Sequence, residues 1–172
     1  PSGRRFDQVT IAMLGQHQGD NLALALASFE AWMNQMKGEI DWDQALAALE
    51  QVNWQGRLDC LSHEPLILVD GAHNSQGLQA LDYFLTHDLA DYQVTLIFAG
   101  LKRKDQASHL TYLHKWAEEG IEIYLSTFDY PGAMTQADWQ AQTALPFLDW
   151  QLKLVDYQAG QKQAKNALIL TG

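Results

Sequence analysis

A chain of 172 residues with 47% hydrophobic and 19% charged side chains carries enough apolar material for a proper core, and no run approaches the roughly 18 apolar residues of a membrane span. Its 21 acidic against 11 basic residues, a net charge of −10, argue against nucleic acid or an anionic membrane as partner. The single cysteine, Cys60, excludes an internal disulfide, and with no basic-then-apolar leader the expected compartment is the cytoplasm.

The first ten residues show no strong pattern and no initiating Met, so the chain is expected to be cut from a longer protein. Gly15-Gln16-His17-Gln18 precedes an amphipathic helix, with Leu22, Leu26, Phe29 and Met33 at i, i+4, i+7 and i+11. Asp20 or Asn21 is placed to cap that helix or to sit in its first turn. Gly38 interrupts the pattern. Asp41-x-x-Gln44 then resembles a capping box, with Ile40 as staple, and opens a second helix through Ala45, Leu46, Leu49 and Val52. Such a helical hairpin is not a stable domain alone.

Asn53-Trp54-Gln55-Gly56 reads as a boundary, after which strand and helix patterns alternate as a doubly wound sheet requires. The expected strands are Arg57 to Leu61, Leu66 to Asp70, Gln93 to Ala99, Ile121 to Leu125, a weak one at Lys153-Leu154-Val155, and Ala167 to Leu170. Cys60 fits a small core position on the first of them. Helices are expected from Ser75 to His87 (Leu78, Leu81 and Leu85 inward) and from Lys104 to Glu119 (Ala107, Leu110, Leu113 and Ala117 inward). Shorter helices are expected around Trp139 and from Gln161 to Lys165, and a loop at Pro131-Gly132. The aromatics Trp32, Trp116 and Trp139 fit packing positions.

The chemistry-bearing stretch is Leu66-Ile67-Leu68-Val69-Asp70-Gly71-Ala72-His73-Asn74, a buried strand turning sharply into a helix that Asn74 or Ser75 can cap. Asp70, His73 and Asn74 thus fall at a strand's carboxyl end and a helix's amino end, where open α/β sheets bind ligands and free N–H groups favour anions. Asp70-Gly71 is equally consistent with a plain turn. By itself Asn21 at a helix start reads as a cap, and Arg57 flanking a strand as a solvated edge charge. His63, His87, His109 and His114 read as structural or surface groups. Lys102-Arg103-Lys104 reads as a solvated loop that could also attract an acidic ligand. The sequence contains no G-x-x-x-x-G-K-[ST] phosphate loop and no close-spaced metal-ligand cluster.

Four islands lie in order along the chain: Gly15-x-His17-Gln18-x-x-Asn21, Trp54-x-Gly56-Arg57-Leu58-Asp59, Asp70-Gly71-Ala72-His73-Asn74 and Gly100-x-x-x-Lys104-Asp105. In this order and spacing they resemble the C-terminal region of folylpolyglutamate synthases and dihydrofolate synthases, members of the Mur-ligase group of ATP-dependent amide-forming enzymes. The resemblance implies an α/β fold with a Rossmann-like sheet of about six mostly parallel strands. Helices flank the sheet, and a helical hairpin from the neighbouring domain precedes it. Residues 1–53 would be the tail of a central ATPase domain and 54–172 the C-terminal domain. The phosphate loop and magnesium ligands would lie upstream, and some further residues beyond Gly172.

The implied reaction joins glutamate to a folate carboxylate through an acyl phosphate, with ATP, folate, L-glutamate and Mg2+ as partners of a monomeric full-length enzyme and this chain inactive alone. Asn21 would contact adenine, Arg57 the phosphates as a catalytic cation and Asp70 the ribose hydroxyls. His73 would touch phosphate or the incoming amino acid in a catalytic or substrate-binding role. Asn74 would serve the same nucleotide cleft or cap the helix, while Lys104 and Asp105 would position a loop. Departures from the pattern are Gln55, Ser75 and Gly132, the last standing where arginine is common. Alternatives are a Mur-type peptidoglycan ligase, a metal-dependent hydrolase using Asp70 and His73 with Asp129 as a poor third ligand, and a non-catalytic nucleotide-binding module.

Overall fold

A computed structural model describes residues 3, 5–102, 105–160 and 165–172. The chain divides into two compact units, Pro1–Gln55 and Gly56–Gly172. Arg103, Lys104 and most of the helix expected from Gln161 to Lys165 lie outside the described residues.

The first unit is built on α1 (His17–Gln35) and α2 (Trp42–Leu49). Helix α1 starts earlier than the polar pair Asp20-Asn21 suggests, because the Gln18 and Gly19 N–H groups donate to Gly15 O and Gln16 O at 3.0 Å each. Asp20 therefore lies in the first turn and Asn21 inside the helix, and the N-cap Gln16 offers no side-chain bond. At α2 the Asp41 carboxylate accepts from the Gln44 N–H at 3.0 Å, as the sequence pattern requires. Leu22, Leu26, Phe29 and Met33 are half-buried, and Phe29 meets Trp42 edge-on with ring centroids 6.4 Å apart. Trp32 is 56% exposed, so its expected packing role fails: it sits off the stripe that Phe29 and Met33 share.

The second unit carries β1 (Asp59–His63), β2 (Leu66–Asp70), α3 (Ser75–His87), β3 (Gln93–Ala99), α4 (Gln106–Glu118), β4 (Glu122–Ser126), α5 (Gln136–Gln140), α6 (Trp150–Gly160) and β5 (Asn166–Thr171). They form a five-stranded sheet in the order β1-β2-β5-β3-β4. Only β1 is antiparallel to its neighbour. The α/β expectation holds with five strands rather than six. Lys153-Leu154-Val155 is not a strand but lies inside α6, where Leu154 and Tyr157, three apart, pack on Ile67, Ile97 and Leu168. An apolar triplet is too short for its period to separate helix from strand. Strand β1 begins two residues later than expected because Leu58, at φ +47°, still belongs to a turn.

One face of the sheet contributes Leu68, Leu96, Phe98 and Ile169 to the main core, where they meet Leu78, Leu81 and Leu85 of α3, Leu113 and Trp116 of α4, and Trp139. The inward face of α4 is rotated from the expected one. His109, Leu113 and Trp116 are buried while Ala107 is exposed, since the larger side chains at that spacing bury more apolar area. The parallel strands all run toward one edge. Asp70 pairs with Thr171, Phe98 with Thr171 and Ala99 with Ser126, which brings the ends of β2, β5, β3 and β4 to a common level.

Candidate functional site

At that edge two stretches distant in sequence are stitched together. The Gly71 N–H donates to Gly56 O at 2.7 Å. The Asp70 carboxylate, 9% exposed, accepts from the Leu58 N–H through Oδ2 and from the Ala72 N–H through Oδ1, both at 2.9 Å. Charge-assisted bonds of this kind contribute roughly 1.5–3 kcal/mol each. The stitch requires a tight reversal at 56–58. Gly56 at φ +71° adopts it freely, whereas Leu58 is held in the left-handed region by burial of its side chain to 3% exposure.

Arg57 lies between these two residues and is thereby presented at the surface, with no side-chain hydrogen bond or ion pair among the described residues. A guanidinium carries a fixed charge and a fork of N–H donors.

The loop continues into α3. Asn74 caps the helix, its Oδ1 accepting from the Gly77 N–H at 2.8 Å, as the sequence predicts. A Cβ at Gly77 would stand 3.1 Å from Ala72 Cα, so a glycine there lets the loop lie close on the first turn. His73 is half-buried, and its Nδ1 stands 2.8 Å from Gly71 O. A carbonyl only accepts, so Nδ1 carries the proton and Nε2 is left for a ligand. The buried His109 donates from Nε2 to the His73 carbonyl at 3.0 Å, which fixes the loop from α4 and bears out a structural role for His109. Helix α3 also directs its positive end at this edge.

Asp70, His73, Asn74 and Arg57 are thus one constellation within the second unit. Asn21 belongs to the first unit. It is exposed, and its Nδ2 donates to Oε1 of Gln18 at 3.0 Å.

The other candidates are occupied locally. Asp105 caps α4, accepting from the Ser108 N–H at 3.2 Å. Lys102 pairs with Asp138 at 2.8 Å, so its charge is already partnered. The bond from Lys102, with those from Thr135, holds the Asp138 carboxyl down at about 2. The Pro131-Gly132 loop is pinned by the Lys102 N–H donating to Gly132 O at 2.9 Å and the Met134 N–H to Gly100 O at 2.8 Å.

Sequence reasoning missed three features: the turn at 56–58, the buried Gln18 and the buried Thr171 at the sheet edge. The glycines of Trp54-x-Gly56 and Asp70-Gly71 were the available signal for the first.

Among the described residues no group of three or more His, Cys, Asp or Glu could hold a metal ion. The described residues thus offer no magnesium site, and among them Asp70 and His73 gain no third ligand for metal-dependent hydrolysis. Among the described residues no helix is long and apolar enough to cross a membrane.

Fold and site together define an open-sheet α/β domain with a cation, a histidine nitrogen and a helix amino end at the carboxyl edge of its strands, the edge at which such sheets commonly bind ligands. The chain matches no family model. It is 25% identical over 171 residues to the dihydrofolate synthase/folylpolyglutamate synthase of Bacillus subtilis, covering 97% of this chain and 39% of that protein. It is 33% identical over 87 residues to the protein of the same name from Mycobacterium tuberculosis, covering 50% of this chain and 18% of that one. The solved Mycobacterium tuberculosis folylpolyglutamate synthase, complexed with ADP and AMPPCP, superposes with a TM-score of 0.76 at 24% identity, over 97% of this chain and 40% of that one. The bifunctional enzyme from Yersinia pestis, complexed with AMPPNP and Mn ion, gives 0.76 at 19% identity, over 99% and 39%. The resemblance carried by the four islands therefore extends along nearly the whole chain to homologues named folylpolyglutamate or dihydrofolate synthase. The chain spans about two fifths of the length of the Bacillus relative.

Proposed function

We propose that this chain is the C-terminal part of an ATP-dependent ligase that adds L-glutamate to folate. In this reading residues 1–53 are the last helices of a central ATPase domain and 54–172 its C-terminal domain. The observation that carries the reading is the Asp70 clip, which, with the Gly71–Gly56 bond, ties the backbone on either side of Arg57 to the loop bearing His73 at the amino end of α3.

In this reaction a folate carboxylate oxygen attacks the γ-phosphorus of ATP, ADP leaves, and an acyl phosphate forms. The amino nitrogen of glutamate then attacks the acyl carbon and phosphate leaves. Arg57 takes up charge on the phosphates as the phosphoryl group transfers, where a positioned guanidinium is most effective. His73 offers Nε2 to a phosphate oxygen or to the incoming amino acid. Asp70 has a lone pair left on each oxygen for the ribose hydroxyls, and the Asn21 amide matches an adenine edge. Asn74 holds α3 in place for the same cleft. The phosphate loop and the ligands of any divalent cation are assigned to sequence upstream, so domain closure completes the site.

The test is ADP release dependent on tetrahydrofolate and glutamate, from the full-length protein and from this chain alone. Turnover by the first and silence from the second support the reading. A full-length protein that ignores folates but accepts a peptidoglycan precursor would move it to the Mur-type ligases.

A further inference from the structure

Gln18 is the one buried residue of α1, 5% exposed in a helix whose apolar stripe is only half-buried. A primary amide taken out of water must find partners for both its ends. Gln18 finds them on either side. Its Nε2 stands 3.0 Å from Nε2 of His17, and its Oε1 accepts from Nδ2 of Asn21, one helical turn on, at 3.0 Å. The nitrogen of Gln18 can only donate, so it faces the unprotonated Nε2 of His17 and its oxygen is left facing Asn21. Asn21 must then turn its amino group toward Gln18. The exposed side of Asn21 presents an oxygen acceptor and one remaining N–H donor in a fixed order.

That order has a chemical meaning. Adenine places an amino donor next to a ring-nitrogen acceptor, the complement of an amide held this way. A 6-oxopurine places a carbonyl where adenine has its amino group, and meeting it would require the Asn21 amide to rotate by half a turn. The rotated amide would set its oxygen against the buried Oε1 of Gln18, leaving that atom unpaired.

We propose that Gln18 is a positioning residue that locks the Asn21 amide in the orientation selecting an adenine nucleotide over a 6-oxopurine nucleotide. This rests on the reading of Asn21 as the base contact.

The experiment compares KM and kcat for ATP and for inosine triphosphate in the full-length protein. In Gln18→Leu the preference for ATP falls about tenfold, the equivalent of one lost hydrogen bond, and the change lies in KM rather than kcat. Gln18→Glu, which keeps an acceptor for Asn21, retains most of the preference. If Asn21→Ala abolishes the preference while Gln18→Leu keeps it, or if Gln18→Glu and Gln18→Leu lose it equally, the orienting role of Gln18 is overturned. If Asn21→Ala leaves the preference intact, the nucleotide reading of Asn21 itself falls and this inference with it. Hydrogen exchange of the Asn21 side-chain amide in the unsubstituted protein, read by NMR, covers the case in which Gln18→Leu does not fold. One protected and one free proton is the expected result, and two protons exchanging at the solvent rate overturns the proposal.

Discussion

The two units bury their residues in opposite ways. Every buried apolar residue among those described lies beyond Gly56, from Leu58 to Ile169, whereas the first unit buries only the polar Gln18. It instead leaves Leu24 70% exposed, Trp32 56% and Met36, just past α1, 64%. The α/β unit thus contains its own driving force for folding, whereas the helical unit buries little apolar area among the described residues. The candidate residues follow the same division. Arg57, Asp70 and His73 are presented by a packed scaffold, while Asn21 is held by a local hydrogen-bond chain.

The sharpest way to break this contrast is to remove equivalent apolar volume from each unit. Trp139→Ala, at a fully buried ring that also donates to Ser126 O at 3.0 Å, is expected to destabilise the α/β unit by about 3–5 kcal/mol in urea denaturation. Leu26→Ala on the half-buried stripe of α1 is expected to cost less than about 1.5 kcal/mol. Similar losses in both would mean the first unit has a genuine core.

Next in size is the Asp70 clip. Asp70→Asn retains one acceptor but turns an amino group toward the second backbone N–H, with an expected loss of roughly 1.5–3 kcal/mol in the α/β unit alone. An unchanged unfolding midpoint would show that the clip is not what holds 56–58 against 70–72.

A smaller effect belongs to the Lys102–Asp138 pair. The folded-state carboxyl sits at about 2 against an ordinary 3.8, held there first by the bond from Lys102 and then by Thr135. Its stabilisation is therefore present above pH 3.8 and lost as pH falls through about 2. Both side chains are substantially exposed, so solvent screens the pair. Asp138→Asn should therefore be slightly less stable than the parent above about pH 4, with the gap closing as pH falls through about 2, and a gap that persists undiminished at pH 2 would contradict the assignment.

Smallest is Ser108→Ala, which removes the exposed 3.3 Å contact with Ser75 between the starts of α3 and α4. Its effect on stability should stay within about 0.5 kcal/mol.

The same contrast explains what could be read from the sequence. Leu66 to Asn74 was legible because strand, turn and cap are contiguous, so local rules place Asp70, His73 and Asn74 without any long-range contact. Leu78, Leu81 and Leu85 were legible because a packed face imposes a strict period. The stitch between 56–58 and 70–72 was not, since it depends on a leucine at positive φ and on bonds spanning twelve residues or more. Lys102 reads as a free cation until the fold brings Asp138 to it. Lys153-Leu154-Val155 failed because three residues hold no period. The burial of Gln18 left no trace, although the residue stands in the first island, because a buried amide in an amphipathic helix breaks the pattern that sequence reading relies on.

The most direct test of the central claim, that the clip presents Arg57 to a transferring phosphoryl group, is kcat for folate- and glutamate-dependent ADP release by the full-length protein carrying Arg57→Ala. The account predicts a fall of roughly 100-fold or more, the scale of losing one preorganised charge-stabilising group, with an unfolding midpoint close to that of the parent. A kcat within about twofold of the parent would contradict it.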